Sequence, residues 1–315
     1  MEYERVIKMA IEILEVLPRN IIELIEKDIP LNQLQEIRLK VNKPLFIYSN
    51  NKEKKYEYKP SVETMKFILQ KISSYSIYAF EDEIKQGYIT IKGGHRVGIC
   101  GTVVTEGNKV KTIKNIVSIN IRVAKEIINC SQTIIPYILD KGEILNTIII
   151  SPPKCGKTTI LRDVCRVISN GNYTLNLKGK NVSVIDERSE IAACFKGIPQ
   201  MNVGERTDVL DSCPKSEGII MAIRSMSPEI VICDEIGTYK DMDSIIAALN
   251  SGVKLITTIH GFDIDDLYKR PVFREVMENN VFDRAVVLSN RKGVGTIEYV
   301  YDFKKGKELG GILSG

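Results

Sequence analysis

The sequence predicts an α/β protein in two domains, the second built on a parallel sheet, and three observations carry that prediction. The chain is 315 residues long, about two domains' worth at roughly 150 residues each. From Leu145 onward, short apolar segments at Thr147–Ile150, Val182–Ile185, Ile230–Cys233 and Leu255–Ile259 alternate with helical stretches. This is the pattern of strands covered on both faces by crossover helices. The earlier part mixes amphipathic helical stretches with alternating β segments, the grammar of a mixed α/β domain.

Taken in order, the first 30 residues read as helical. Ile7, Ile11, Leu14 and Leu17 recur at helical spacing, and Pro18 and Pro30 punctuate the stretch. Glu36–Val41 and Leu45–Tyr48 flank the turn Asn42-Lys43-Pro44 and predict a hairpin. Residues 61–86 return to helical periodicity. Tyr88–Lys92, Gly93–Gly101 and Ile116–Val123, with a Gly107-Asn108 turn, read as β again. The segment Lys125–Ser131 is the expected boundary, dividing the chain into an N-terminal mixed α/β domain at 1–128 and a second domain at 129–315. A short helix to about Lys141 is expected to lead into that domain. Arg284–Ser289 and Thr296–Tyr301 are expected to close it as an antiparallel hairpin.

Composition narrows the function classes. Hydrophobic residues make up 43% and charged residues 27%, ordinary for a globular protein. Lys plus Arg exceed Asp plus Glu by only four, 44 against 40, too little for a broad nucleic-acid footprint. Seven cysteines, none in CxxC spacing, and two histidines argue against a disulfide framework or a zinc ribbon and fit a reducing, cytosolic compartment. The N-terminus lacks the basic and apolar regions of a signal peptide. No apolar run approaches the roughly 20 residues that span a bilayer, so any membrane role is expected to go through a partner.

The chemistry-bearing motif is Ser151-Pro152-Pro153-Lys154-Cys155-Gly156-Lys157-Thr158-Thr159, set between the first apolar strand and a helix with Ile160, Leu161, Val164, Cys165 and Ile168 on one face. Strand, loop and helix in that order are the context of a P-loop. Backbone N–H groups of the loop and of the helix N-terminus point at phosphate oxygens. Gly156 allows close backbone approach. Lys157 is expected to reach the β- and γ-phosphates, Thr158 to place its hydroxyl on Mg²⁺, and Thr159 to hold the α-phosphate. Ser151 stands where the first glycine is usual, and Lys154 where glycine is common.

Two more apolar strands end in acids. Asp234-Glu235 follows Ile230–Cys233, and Asp186-Glu187 follows Val182–Ile185, with Glu190 shortly after. A carboxylate at such a place can support Mg²⁺, and its neighbour can orient the attacking water. Asp234 and Asp186 are expected on the metal side; Glu187 and Glu235 both remain candidates for the water. His260 ends a fourth strand, within reach of a γ-phosphate or the water. Ligands of open α/β sheets bind beyond the carboxyl ends of the strands, and all four motifs sit at such ends. Positive charge for a transferring phosphoryl group is offered by Arg96 and Arg122 in the first domain and by Arg206 and Arg224 in the second. His95 reads as a neighbour of Arg96 rather than a metal ligand.

The second domain resembles the ATPases of type II and type IV secretion systems and pilus motors, in the order phosphate loop, acidic box at Asp186–Glu190, Asp234-Glu235 box and Thr257-Thr-Ile-His260-Gly box. Across nearly the whole chain, Glu36-Ile-Arg-Leu, Gly94-His-Arg-Val-Gly, the phosphate loop, Asp186-Glu-Arg-Ser-Glu-Ile-Ala, Arg206-Thr-Asp-Val-Leu-Asp and Cys233-Asp-Glu-Ile-Gly resemble the stage III sporulation protein AA family. The resemblance implies a RecA-like P-loop NTPase domain and a cytoplasmic, hexameric, ATP- and Mg²⁺-using ATPase. It implies a place at the inner face of the membrane, at the base of a secretion-like channel between mother cell and forespore. A membrane-embedded channel or platform protein is the partner so implied. In that reading Arg96 and Arg122 clamp the γ-phosphate, from the same or a neighbouring subunit. Two other functions fit a P-loop: a nucleic-acid-handling ATPase, against which the near-neutral charge weighs, and a nucleotide-gated scaffold that does not hydrolyse.

Overall fold

The computed structural model describes residues 11–74 and 80–313. The expected helical turn around Ile7 and the middle of the 61–86 helix lie outside the described residues. Contacts divide the chain into two compact units, one of residues 1–125 with 193–200, the other of residues 126–192 with 201–315.

The first unit is built on a six-stranded antiparallel sheet of order β3-β2-β1-β6-β5-β4. Its strands are β1 (Leu34–Lys40), β2 (Leu45–Ser49), β3 (Lys52–Tyr56), β4 (Tyr88–Ile91), β5 (His95–Glu106) and β6 (Lys109–Arg122). Alternation sets the buried face: in β1, Leu34, Ile37 and Leu39 are buried while Arg38 and Lys40 are exposed. The helices are α1 (Arg19–Asp28), α2 (Val62–Ile72) and α3 (Glu81–Lys85). The N-terminal helical stretch breaks, with turns at 15–17 before Pro18 caps α1. Ile21 and Ile25 of α1 and Met65, Ile68 and Ile72 of α2 join the sheet's apolar face in one core. Ser61 and Thr64 form a reciprocal capping box that starts α2. The separate segment 193–200 joins this unit through Phe195, packed on the core, and through Gln200, whose Oε1 accepts the Gly93 N–H at 2.9 Å.

The second unit holds a two-stranded ribbon, β7 (Leu139–Asp140) with β8 (Glu143–Ile144), and an eight-stranded sheet. The strands are β9 (Thr147–Ser151), β10 (Val182–Asp186), β11 (Thr207–Asp211), β12 (Ile230–Cys233), β13 (Lys254–His260), β14 (Arg284–Ser289), β15 (Thr296–Asp302) and β16 (Lys307–Leu313). Their order is β11-β10-β12-β13-β9-β14-β15-β16. The first six are mutually parallel, and β15 and β16 add on antiparallel. Every residue of β9, β10 and β12 is buried, as strands covered on both faces require. The helices include α4 (Lys157–Asn170), α5 (Lys215–Ser225) and α6 (Tyr239–Asn250).

Two departures from the sequence reading stand out. The helix expected before Lys141 is a run of turns at 128–134 and a single 3₁₀ turn, Ile135–Tyr137. Pro136 removes a backbone donor there and discourages a regular helix. Strands β3, β11 and β16 were not anticipated, and each lies at a sheet edge. Their sequences, Lys-Glu-Lys-Lys-Tyr, Thr-Asp-Val-Leu-Asp and the Gly-Gly-containing last strand, suit edges that need charge or interruption rather than apolar alternation.

Candidate nucleotide-binding site

The parallel register brings the sequence-separated motifs to one edge of the second sheet. His260 pairs with Ser151 across β13 and β9, Cys233 with Thr257 across β12 and β13, and Ile185 with Cys233 across β10 and β12. Asp186 ends β10, Asp234 follows β12, His260 ends β13 and Ser151 ends β9. Their strands run the same way, so these four residues share the carboxyl edge.

The loop after β9 turns through Lys154 at φ 63° and Gly156 at φ 83°. Gly156 is the N-cap of α4, no side chain caps that terminus, and no acid lies in the first turn. The unpaired N–H groups and the positive end of the helix dipole are therefore open to an anion. A side chain at Gly156 would meet Val294 Cγ1 at 2.9 Å, from the tip of the β14–β15 hairpin. Ser151 is fully buried and its hydroxyl donates to the Pro152 carbonyl at 2.9 Å. Cys155 is buried, Pro153 and Lys154 are exposed, and Pro152, Thr158 and Thr159 are half-buried.

Lys157 is 8% exposed, and its Nζ lies 2.7 Å from His260 Nδ1. Burial pulls the ammonium's pKa below its ordinary value, against the opposing pull of Asp234 and Glu235. An ammonium only donates, so Nδ1 accepts and the ring proton belongs on Nε2. Nε2 faces Glu235 Oε2 at 3.4 Å. The chain Lys157–His260–Glu235 thus connects three of the four strand ends. Asp234 is held beside it: Thr258 Oγ1 donates to Oδ1 and Thr158 Oγ1 to Oδ2 at 3.5 Å. Thr258 also accepts the Glu235 N–H at 3.1 Å. Arg270 donates to the His260 carbonyl at 2.6 Å.

Asp186 and Glu187 are used differently. Asp186 is 1% exposed, and its two oxygens accept the Glu190 and Ala192 N–H groups, each at 2.8 Å. Burial raises its pKa, opposed by those backbone bonds. These contacts make it the organiser of its own loop. Glu187 is ion-paired with Lys215. Residues of both acidic boxes line a cavity of about 420 Å³ with Lys215, Thr238 and Lys240. Among the arginines, Arg206 donates to the Ser169 carbonyl near the far end of α4, about 20 Å along the helix from Lys157. Arg224 is exposed on the last turn of α5. Arg96 and Arg122 are register partners on β5 and β6, and the Arg96 guanidinium lies 3.6 Å from the centroid of Tyr88. His95 is fully buried and its Nδ1 accepts the Ala124 N–H at 3.0 Å, a structural bond.

The model of the family described as sporulation stage III, protein AA matches residues 8–309. The chain belongs to that family. It is 44% identical over 294 residues to stage III sporulation protein AA of Bacillus subtilis (strain 168), covering 92% of this chain and 94% of that one. Solved structures share the fold at low identity. The ATPase DotB of Yersinia pseudotuberculosis aligns with a TM-score of 0.57 at 13% identity, covering 90% of this chain and 78% of its own. The pilus retraction motor PilT with bound ADP aligns with a TM-score of 0.54 at 14% identity, covering 85% and 76%. The fold of this family member is therefore that of the RecA-like secretion and pilus ATPases.

Sequence reasoning missed Thr258, Arg270, Lys215 and Val294. Thr258 sits inside the Thr257-Thr-Ile-His260 box, where the apolar strand pattern drew attention to the end residue alone. Arg270 and Val294 lie in irregular segments with no motif, so only the folded chain brings them to the site.

Proposed function

We propose that this chain is a Mg²⁺-dependent ATPase that works as a ring-forming motor for a sporulation-specific, secretion-like channel. The observation that carries the reading is Lys157, buried at an uncapped helix N-terminus and joined through His260 to Glu235 beside Asp234. The site fits a triphosphate: it offers unpaired N–H groups, a desolvated lysine and no acid in the first helical turn. Among the described residues no cluster of three or more His, Cys, Asp or Glu could hold a metal alone. That fits Mg²⁺, which keeps most of its ligands as water and phosphate oxygen. Thr158 and Asp234 would hold it, and bound there it would neutralise charge on the phosphates.

The chain's own residues then divide the work. Backbone N–H groups of residues 154–159 and Lys157 orient the phosphates. Glu235, next to Asp234 and bonded to His260, positions the attacking water, and Glu187, engaged by Lys215, stabilises the neighbouring loop. A γ-phosphate competes with His260 for Lys157, so nucleotide binding releases the histidine. Arg96 and Arg122 supply further charge to that phosphate, from the same or a neighbouring subunit. No helix among the described residues is long and apolar enough to cross a membrane. Assembly as a hexamer on the cytoplasmic face through a membrane-embedded platform protein belongs to the same proposal and draws on the family and on the shared fold. The test is phosphate release by the purified protein with ATP and Mg²⁺, against Lys157→Ala. Loss of turnover in the variant is the expected result, and turnover preserved at the wild-type rate overturns the site.

A further inference from the structure

The first unit carries a cavity of about 1370 Å³, and its lining has an unusual pattern. Every residue from Lys109 to Val117 of β6 borders it. Side chains of a strand alternate between two faces, so a strand presenting a face would contribute every second residue. A consecutive run means that the edge of β6 looks into the groove. Pairing agrees. β1 covers that edge only from Arg122 back to Ser118, with one further bond from the Val41 N–H to the Val117 carbonyl at 3.0 Å. Beyond it β6 pairs with β5 on its other side alone, among the described strands. The opposite wall is a helical stripe, Val62, Lys66 and Leu69 of α2, with Ile84 and Lys85 of α3.

We infer that this groove is a docking site for an extended segment of a partner protein, in which apolar and acidic residues alternate and which adds to β6 as a strand. An open edge supplies a row of N–H and C=O groups, which only an extended chain satisfies. Leu69 and Ile84 give the groove an apolar floor. Its charge is lopsided: five lysines, at 66, 85, 109, 111 and 114, face two glutamates, at 81 and 106. Lys85 and Lys111 already have acidic neighbours in Asp82 and Glu106, and Lys66 has Glu63, which leaves Lys109 and Lys114 for the incoming carboxylates. A concave groove with an open strand edge favours a polypeptide over a lipid surface.

The test selects from a random ten-residue peptide library on the full-length protein, with counter-selection on Lys109→Glu/Lys114→Glu, both exposed positions. Enriched peptides are expected to alternate apolar and acidic residues, to bind the variant at least tenfold more weakly, and to slow amide exchange across 110–117. Four results overturn the inference: no enrichment, basic or helical consensus peptides, protection elsewhere in the chain, or protection of 110–117 produced instead by phosphatidylglycerol vesicles or by self-association of the protein.

Discussion

Lys157 and His260, 103 positions apart in sequence, lie with Nζ 2.7 Å from Nδ1, and the other ring nitrogen faces Glu235. The phosphate-loop lysine is therefore held by a residue from a neighbouring strand end, and that residue also faces the acid proposed to orient water. His260→Ala is expected to lower steady-state turnover about 10²-fold, the scale of a lost proton-handling or water-positioning group. Its effect on ATP affinity should stay within a few-fold. Phosphate release at saturating ATP, with equilibrium binding of a fluorescent analogue, separates the two.

Glu235 and Glu187 are the two candidates for orienting the water in the proposed reaction. Glu235→Gln should reduce kcat by about 10²-fold or more while nucleotide binding persists. Glu187→Gln should reduce it less than about tenfold, because its partner is Lys215. A larger loss from Glu187→Gln, measured by the same assay, reverses the assignment.

Gly156→Ala should destabilise the second unit by about 1 kcal/mol through its left-handed φ of 83° and weaken nucleotide binding. Val294, 71% exposed at the hairpin tip, can yield to the new methyl group, so adding Val294→Ala should not restore stability. Lys154, at φ 63°, makes the opposite prediction: Lys154→Gly should stabilise by up to about 1 kcal/mol. Urea denaturation followed by circular dichroism measures all three.

Asp163, buried on α4, accepts the N–H groups of Asn129 and Ser131 and the Ser131 hydroxyl, and pairs with Arg166. Burial pushes its pKa up, but the Ser131 bonds and Arg166 outweigh it, so the folded value lies below the ordinary 3.8. A depressed carboxylate stabilises the fold fully above its unfolded pKa and loses that contribution as pH falls through the folded one. Asp163→Ala should cost about 3 kcal/mol near neutrality. The gap between wild type and variant should shrink below about pH 4. Equal pH profiles in urea melts would contradict this role.

Much of this molecule was legible from sequence because its signals are local. Four largely apolar strands, each ending in a phosphate loop, acids or a histidine, mark a parallel sheet whose carboxyl edge is chemical. Buried strands need continuous apolar runs, and a phosphate loop needs small or lysine residues in a short span, so both leave a readable pattern. Edge strands obey no such rule. β3, β11 and β16 are strands because a neighbour offers hydrogen bonds, while their side chains stay charged, acidic or glycine-rich.

What each polar side chain does was likewise decided by tertiary structure. Asp186 and Asp234 both end apolar strands, yet one accepts the amides of residues 190 and 192 while the other meets Thr158 and Thr258. A carboxylate has only two oxygens, and which donors reach them depends on how distant loops pack. The sequence by itself determined which residues could meet a phosphate and on which kind of sheet. Only the folded chain decided which of them lie together and what each one bonds, because hydrogen-bond partners are set by proximity in space, which sequence spacing does not encode.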